Sequence, residues 1–181
     1  MLKPLASPPL ERLGILSYLA EGEDPEVAGE ILAGLTQPQK RISSKYFYDA
    51  HGSWLFEQIC SLPEYYVTRT ELAILRQRAP EIMAFFSDLS GDLVEMGSGS
   101  NQKIKILLDA ARAGLRQIRY VPVDISASAL GEASHDLLEQ YQDLHILGII
   151  ADFTKRLDFL PGGRKLITFL GSTIGNFDRH P

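Results

Sequence analysis

The chain has 181 residues, of which 45% are hydrophobic and 23% charged, and its formal net charge is −5. That balance suits one folded core and excludes general disorder, while an acidic sum without a basic cluster argues against a nucleic-acid partner, because neutralising phosphates needs grouped Lys and Arg. A single cysteine, Cys60, excludes an internal disulfide and a cysteine zinc site, and the histidines His51, His135, His145 and His180 offer no i, i+4 ligand pair, so no metal is expected.

No apolar run approaches the length that crosses a bilayer, and the N-terminus lacks the basic start and long apolar stretch of a secretory signal. The expectation is a cytoplasmic protein with no membrane partner, acting on a small molecule.

Met1 to Pro9 is proline-rich and reads as flexible. Leu10, Leu13, Leu16 and Leu19 then predict a short helix ended by Gly22, and a second helix runs from Pro25 to Leu35. Pro38-Gln39-Lys40-Arg41 reads as a linker and Ser53 to Ile59 as another short helix, with no strand pattern in this region. From Thr70, the residues Leu72, Leu75, Ala79, Ile82, Met83 and Phe86 keep helical spacing. Pro80 has no N–H to donate, so a break is expected there, with Pro80 opening a further helix.

From Asp92 the rhythm alternates. Strands are expected at Asp92 to Met96, Ile118 to Asp124, His145 to Ala151 and Lys165 to Leu170, with helices at Gln102 to Ala113 and Ala127 to Gln140. Residues 1–90 therefore read as an N-terminal helical region and 91–181 as the first part of an α/β domain, its strands parallel and joined by right-handed crossovers. The last strand is almost wholly apolar, as strands buried on both faces are, and the chain stops soon after it. The expectation is an N-terminal portion whose other half lies beyond Pro181.

Glu95-Met96-Gly97-Ser98-Gly99 joins the first of these strands to its helix, and Asp124 ends the second strand. A glycine turn lets the backbone approach a nucleoside, and a carboxylate at the next strand end can accept both ribose hydroxyls. Gly97 and Gly99 are followed by no third glycine, so the pyrophosphate fingerprint is missing. This leans toward a nucleoside cofactor without a diphosphate, of which S-adenosyl-L-methionine is the commonest on such an architecture. Plainer readings stay open. The turn can be a tight connection without a ligand, Asp124 a helix-start cap and Lys103 an exposed helical lysine. Tyr48 and Tyr65 can be core residues, Asp152-Phe153 a solvated turn, and Asn176 a turn residue.

Four segments go beyond the generic turn: Lys45-Tyr46-Phe47-Tyr48-Asp49, Leu62 to Glu71, Glu95 to Lys103, and Phe169 to Asn176. In this order they closely resemble the histidine Nα-methyltransferases of ergothioneine biosynthesis, over a stretch from about Gln37 to Phe177. The resemblance implies a Rossmann-like class I methyltransferase sheet, four parallel strands of it here, preceded by the helical region and completed by a second, substrate-contributing domain. It implies methyl transfer from S-adenosyl-L-methionine to the α-amino group of L-histidine, giving hercynine.

The cofactor roles so implied fall on Tyr48, Gly97, Lys103, Asp124, Asp152 and Phe153, and the substrate roles on Tyr65, Gly171 and Asn176. No catalytic triad is expected, since in-line displacement at a sulfonium methyl gains most from positioning. Val67 stands where the family generally has proline and Ser100 where it has threonine. The family's later substrate residues lie beyond Pro181, so the chain alone is expected to be inactive. Two other readings remain: a related methyltransferase for another amino acid or amine, and a non-catalytic module that binds the cofactor.

Overall fold

The computed structural model describes residues 12–19, 25–47, 49–86, 90–114 and 117–177. In chain order it forms β1 (Leu13–Ser17), α1 (Pro25–Thr36), a 3-10 turn (Ser44–Phe47), α2 (Ala50–Ser61), α3 (Tyr66–Ala84), β2 (Gly91–Met96), α4 (Gln102–Ala113), β3 (Ile118–Asp124), α5 (Ala127–Gln140), β4 (His145–Ile150), β5 (Lys165–Thr168) and a second 3-10 turn (Thr173–Asn176). Among the described residues, five strands make one sheet in the order β1-β4-β3-β2-β5, with every pairing parallel.

The centre of this sheet follows from the apolar strands. β2 and β3 are buried on both faces, and their side chains alternate between two layers. Leu93 and Tyr120 face a cluster with Leu75, Ala79 and Met83 of α3 and with Ile104, Leu107, Leu108 and Ala111 of α4. Val94, Met96, Val121 and Val123 face the other way, against Ile149, Ala151 and Phe159. At the base of the sheet, Asp92 and its register partner Arg119 form a two-pronged ion pair, Nε to Oδ1 at 2.9 Å and Nη2 to Oδ2 at 2.8 Å. Pro122 sits in this central strand, and the β3/β4 register passes from Tyr120↔Ile146 to Val123↔Ile149 around it, since proline cannot donate to a ladder.

Three sequence readings change. Of the leucines read as a first helix, Leu13 and Leu16 belong instead to β1, Leu19 lies just past its end, and Leu10 is outside the described residues. Leu13 to Ser17 pairs with β4, whose outer edge would otherwise go unpaired, and Gly14 within the run weakens a helix. The Arg12 guanidinium pins this strand by donating to the carbonyls of Leu138, Tyr141 and Gln142 at the end of α5, where the helix dipole favours a cation.

Pro80 does not break α3, which runs through it. Leu75, Ala79 and Met83 form one buried stripe on either side of the proline, and Pro80 itself lies on the exposed face, where water can satisfy the carbonyl that loses its partner. Third, β5 is not buried on both faces. Among the described residues it pairs with β2 alone, and Ile167 is exposed.

The remaining elements lie close to where the periodicity puts them. The bounds of β3, α4 and α5 agree with the sequence reading, and α1, α2, β2, β4 and β5 differ by a few residues at their ends. The proline-rich start lies outside the described residues. Among the described residues no helix is long and apolar enough to cross a membrane.

Candidate active site

Because β2, β3, β4 and β5 run parallel, the segments that follow them emerge at one edge of the sheet. The strand order reverses between β2 and β5, and open α/β sheets place ligands outside such a switch point. A cleft of about 1640 Å³ opens there. Gly97, Lys103, Asp124, Asp152, Phe153, Gly171 and Asn176 all line it, so seven of the residues singled out in the sequence converge. Tyr65 is not among the lining residues, and Tyr48 lies outside the described residues.

Gly97 turns the chain out of β2 with φ 72°, a conformation that favours glycine. A Cβ there would come within 3.3 Å of Thr173 Cγ2, so the turn after β2 sits directly against the segment after β5. A Cβ on Gly99 would meet nothing within 4 Å, which leaves the backbone of that residue facing open space. The helix that follows, α4, has Asn101 at its N-cap position without a side-chain cap. The Asn101 amide instead donates to Ala133 O and Asp136 Oδ2, both at 2.8 Å, and ties α4 to α5. The first amides of α4 are thus not taken by the Asn101 side chain, and its N-terminus opens on the cleft.

Asp124 closes β3. Burial raises its pKa, and hydrogen bonds from the amides of Ser126, Ile125, Gly99 and Ser98 draw it partly back. Oδ1 accepts from Ser126 N at 2.9 Å, so the carboxylate does support the start of α5, while the cap itself is the Ser126 hydroxyl, which accepts from Ala129 N. The two readings of Asp124 are therefore compatible, since a carboxylate has two oxygens and several lone pairs.

Beneath the turn lies Glu95, fully enclosed. It shares a face with Leu93, whose register partner is Tyr120, and from that diagonal position the Tyr120 hydroxyl donates to Glu95 Oε2. Burial pushes the Glu95 carboxyl up to about 8; the Tyr120 bond and the positive charge of Lys103 oppose that, and Asp124 and Glu71 add to it. Burial thus favours the neutral form of Glu95, and the Tyr120 phenol is held well above its usual range, first by burial and then by Glu95.

Lys103 lies in the first turn of α4, an unfavourable place for a cation. The protein supplies an anion for it: Glu71 Oε2, on α3, is 2.8 Å from Lys103 Nζ. The other oxygen, Glu71 Oε1, accepts from Gly171 N at 2.8 Å. Gly171 adopts φ 79°, and a Cβ on it would lie 2.8 Å from the Lys103 ammonium. Ser172 follows with φ 63°, so two consecutive left-handed residues bend the chain from β5 into the second 3-10 turn, which ends at Asn176.

At the opposite end of the cleft, Asp152 Oδ1 accepts from the amide of Thr154 at 3.0 Å and from its hydroxyl, while Oδ2 accepts from Lys45 Nζ at 3.1 Å. Burial raises the Asp152 pKa, but these bonds outweigh it and hold the group below the usual aspartate range. Lys45 also pairs with Glu30 of α1 at 2.8 Å, which ties the first 3-10 turn to both elements. Phe153 stands edge-on to Phe169 at 5.6 Å and to Phe177 at 5.8 Å, an aromatic cluster that links the segments after β4 and β5.

Tyr65 is the N-cap residue of α3, and its ring stands edge-on to Phe56 at 6.1 Å; Phe56 does line the cleft. The Arg69 guanidinium donates to the carbonyls of Leu62, Pro63 and Tyr65, fixing the turn that carries Tyr65. Sequence reasoning singled out none of Lys45, Glu71 and Glu95 for the site. Each stands inside one of the four distinctive segments, and a charged residue amid aromatic or apolar neighbours was the signal available.

The donor set fits a nucleoside bearing an amino-acid end. It offers an acceptor for a diol at Asp124, a cation for a carboxylate at Lys103, an acidic and aromatic end at Asp152 and Phe153, and a glycine-lined approach between them. What such a set can do chemically is orient two molecules end to end.

A profile of the family described as "Histidine-specific methyltransferase, SAM-dependent" matches residues 27–181. Among curated proteins, the histidine N-alpha-methyltransferase of Mycolicibacterium smegmatis is 43% identical over 171 residues, covering 93% of this chain and 53% of the relative. That of Mycobacterium tuberculosis is 40% identical over 174 residues, covering 94% and 53%. The Ergothioneine biosynthesis protein 1 of Schizosaccharomyces pombe is 31% identical over 182 residues, covering 94% and 22%. The chain spans about half the length of the two mycobacterial relatives. Since the profile match begins at residue 27 and takes in every segment of the cleft described above, this chain belongs to the family of S-adenosylmethionine-dependent histidine-specific methyltransferases.

Proposed function

We propose that the whole protein transfers a methyl group from S-adenosyl-L-methionine to the α-amino group of L-histidine, in the cytoplasm and on the way to hercynine and ergothioneine. The observation that carries this reading is the convergence of Gly97, Lys103, Asp124, Asp152, Phe153, Gly171 and Asn176 on one cleft at the switch point of a methyltransferase-like sheet. The bound cofactor supplies an electrophilic methyl on a sulfonium. The chain's own residues do the positioning: Asp124 accepts from the ribose hydroxyls, Asp152 and the Phe153 amide meet the adenine edge, Gly97 admits the methionine part and Lys103 pairs with its carboxylate.

On the acceptor side, Gly171 and Asn176 hold the amino-acid end of the substrate and Tyr65 meets the histidine ring, with Tyr48 on the cofactor side. An attacking amine must be neutral, and a poorly solvated site favours that form. Asn176 serves because an amide can both donate and accept without fixing a proton on the amine. Residues 1–90 contribute one wall and 91–181 the sheet edge. Turnover belongs to the whole protein, because the relatives are longer than the span they share with this chain.

The test is calorimetric titration of the protein with S-adenosylhomocysteine, followed by incubation of the whole protein with labelled cofactor and histidine. Saturable binding at one site and label on the histidine α-nitrogen are expected. Absence of binding, or label accepted only by other amino acids, would replace this reading. The chain's coverage of about half of its relatives favours one further statement, that these 181 residues by themselves bind the cofactor without turning it over.

A further inference from the structure

Glu71 lies in the second turn of α3, and both of its oxygens are engaged across element boundaries. Oε1 accepts from Gly171 N and Oε2 pairs with Lys103 Nζ, each at 2.8 Å. One carboxylate therefore joins the start of α4 to the segment after β5, and a Cβ on Gly171 would lie 2.8 Å from the ammonium, so the two are close neighbours. Lysine is a flexible four-carbon stem, and left alone it would surrender much rotamer freedom on gripping a ligand; a partner that fixes it beforehand removes that loss. An ammonium carries three donors, so it can serve Glu71 and a second anion together. Nor does the charge of Glu71 repel the amino-acid end of a cofactor, which is a zwitterion with no net charge.

We propose that Glu71 is a positioning residue that holds the Lys103 ammonium and the Gly171 amide as one unit, coupling the grip on the cofactor's amino-acid end to the setting of the acceptor-side segment. This rests on Lys103 pairing with the cofactor carboxylate, as proposed above.

The experiment is calorimetric titration of wild type, Glu71→Gln, Lys103→Met and the double variant with two ligands. S-adenosylhomocysteine carries the amino-acid end, whereas methylthioadenosine has the same nucleoside and thioether without it. Glu71→Gln is expected to weaken S-adenosylhomocysteine about tenfold and to leave methylthioadenosine within about twofold, and in the Lys103→Met background to shift S-adenosylhomocysteine no more than about twofold. Glu71→Gln keeps an acceptor for Gly171 N–H, so it carries the test even if Glu71→Ala loses cooperative unfolding. Three results overturn the proposal: unchanged S-adenosylhomocysteine affinity in Glu71→Gln, equal losses for both ligands, or equal losses in both Lys103 backgrounds, the last two marking a merely structural role. If wild type binds neither ligand, the cofactor reading itself fails, and this proposal with it.

Discussion

The two walls of the cleft are built differently. On the sheet side, β2 and β3 hold Leu93, Val94, Val121 and Val123 at 0% exposure, and the turn residues Gly97 and Asp124 are set by that packing. On the N-terminal side, no described residue of α1, α2 or the 3-10 turn at Ser44–Phe47 is fully buried, and Leu32, Phe47, Trp54 and Ile59 are exposed. That wall is joined to the sheet by ion pairs: Lys45 with Asp152, and Glu26 with Lys155. Packing fixes positions closely and ignores salt, whereas ion pairs between partly exposed groups are worth little and weaken as salt rises. The Asp124 side of the cleft is therefore preset, and the Asp152 side is closed by a wall that ions can loosen.

The sharpest way to break this contrast is to damage the sheet. Leu93→Ala is expected to cost about 2–5 kcal/mol in denaturant unfolding, because the core it leaves is packed on every side. No packed residue of α1 or α2 should approach that figure. Next in size, Asp124→Ala is expected to weaken S-adenosylhomocysteine by about 1.5–3 kcal/mol in calorimetry, the range for hydrogen bonds to a charged group. A loss well under that range would mean Asp124 serves only the start of α5.

A pH-dependent effect, spread over several pH units, belongs to Glu95. Its folded pKa of about 8 exceeds the ordinary glutamate value of 4.5, so the folded state binds the extra proton between those limits. The stability it lends is complete below the lower value and is lost as pH rises through the upper one, with a slope of at most about 1.4 kcal/mol per pH unit. Glu95→Gln, which can still accept from Tyr120, is expected to flatten the decline between roughly pH 5 and 8 in unfolding measured across pH. A gentler slope of the same sign remains from Asp124, whose pKa is also raised.

Smallest of all, Lys45→Met is expected to cost about 1 kcal/mol or less in stability, with the difference from wild type shrinking in high salt. A loss that salt leaves unchanged would show that this wall, too, is held by packing.

How much of this was legible before the coordinates depends on what each residue answers to. β3, α4 and α5 were readable because their patterns serve local packing: Ile104, Leu107, Leu108 and Ala111 repeat at helical intervals, and all are buried on one face. β1 was not, because its strand character comes from the unpaired edge of β4, which a local window of sequence does not contain. Pro80 misled for the opposite reason, since the stripe of Leu75, Ala79 and Met83 across it outweighs one missing hydrogen bond. Within the site, the strand-end residues Gly97 and Asp124 announced themselves by spacing. Lys103 could be read as an exposed helical lysine, but the anion beside it is Glu71, a helix residue far away in sequence. The partner of Asp152, Lys45, was hidden in the same way.

The ladder between Leu13 and Ile146 also sets an order of assembly on a growing chain. Domains fold during synthesis from the N-terminus onward, yet β1 is made long before β4, the strand it pairs with among the described residues. Until β4 leaves the ribosome, the Leu13-Gly14-Ile15-Leu16 run has no ladder to join, and the sheet must first gather around β2 and β3. Closing so long a loop is entropically costly, which makes the docking of β1 a late event in maturation. Arg12, which reaches the last carbonyls of α5, is the bolt that shuts after it.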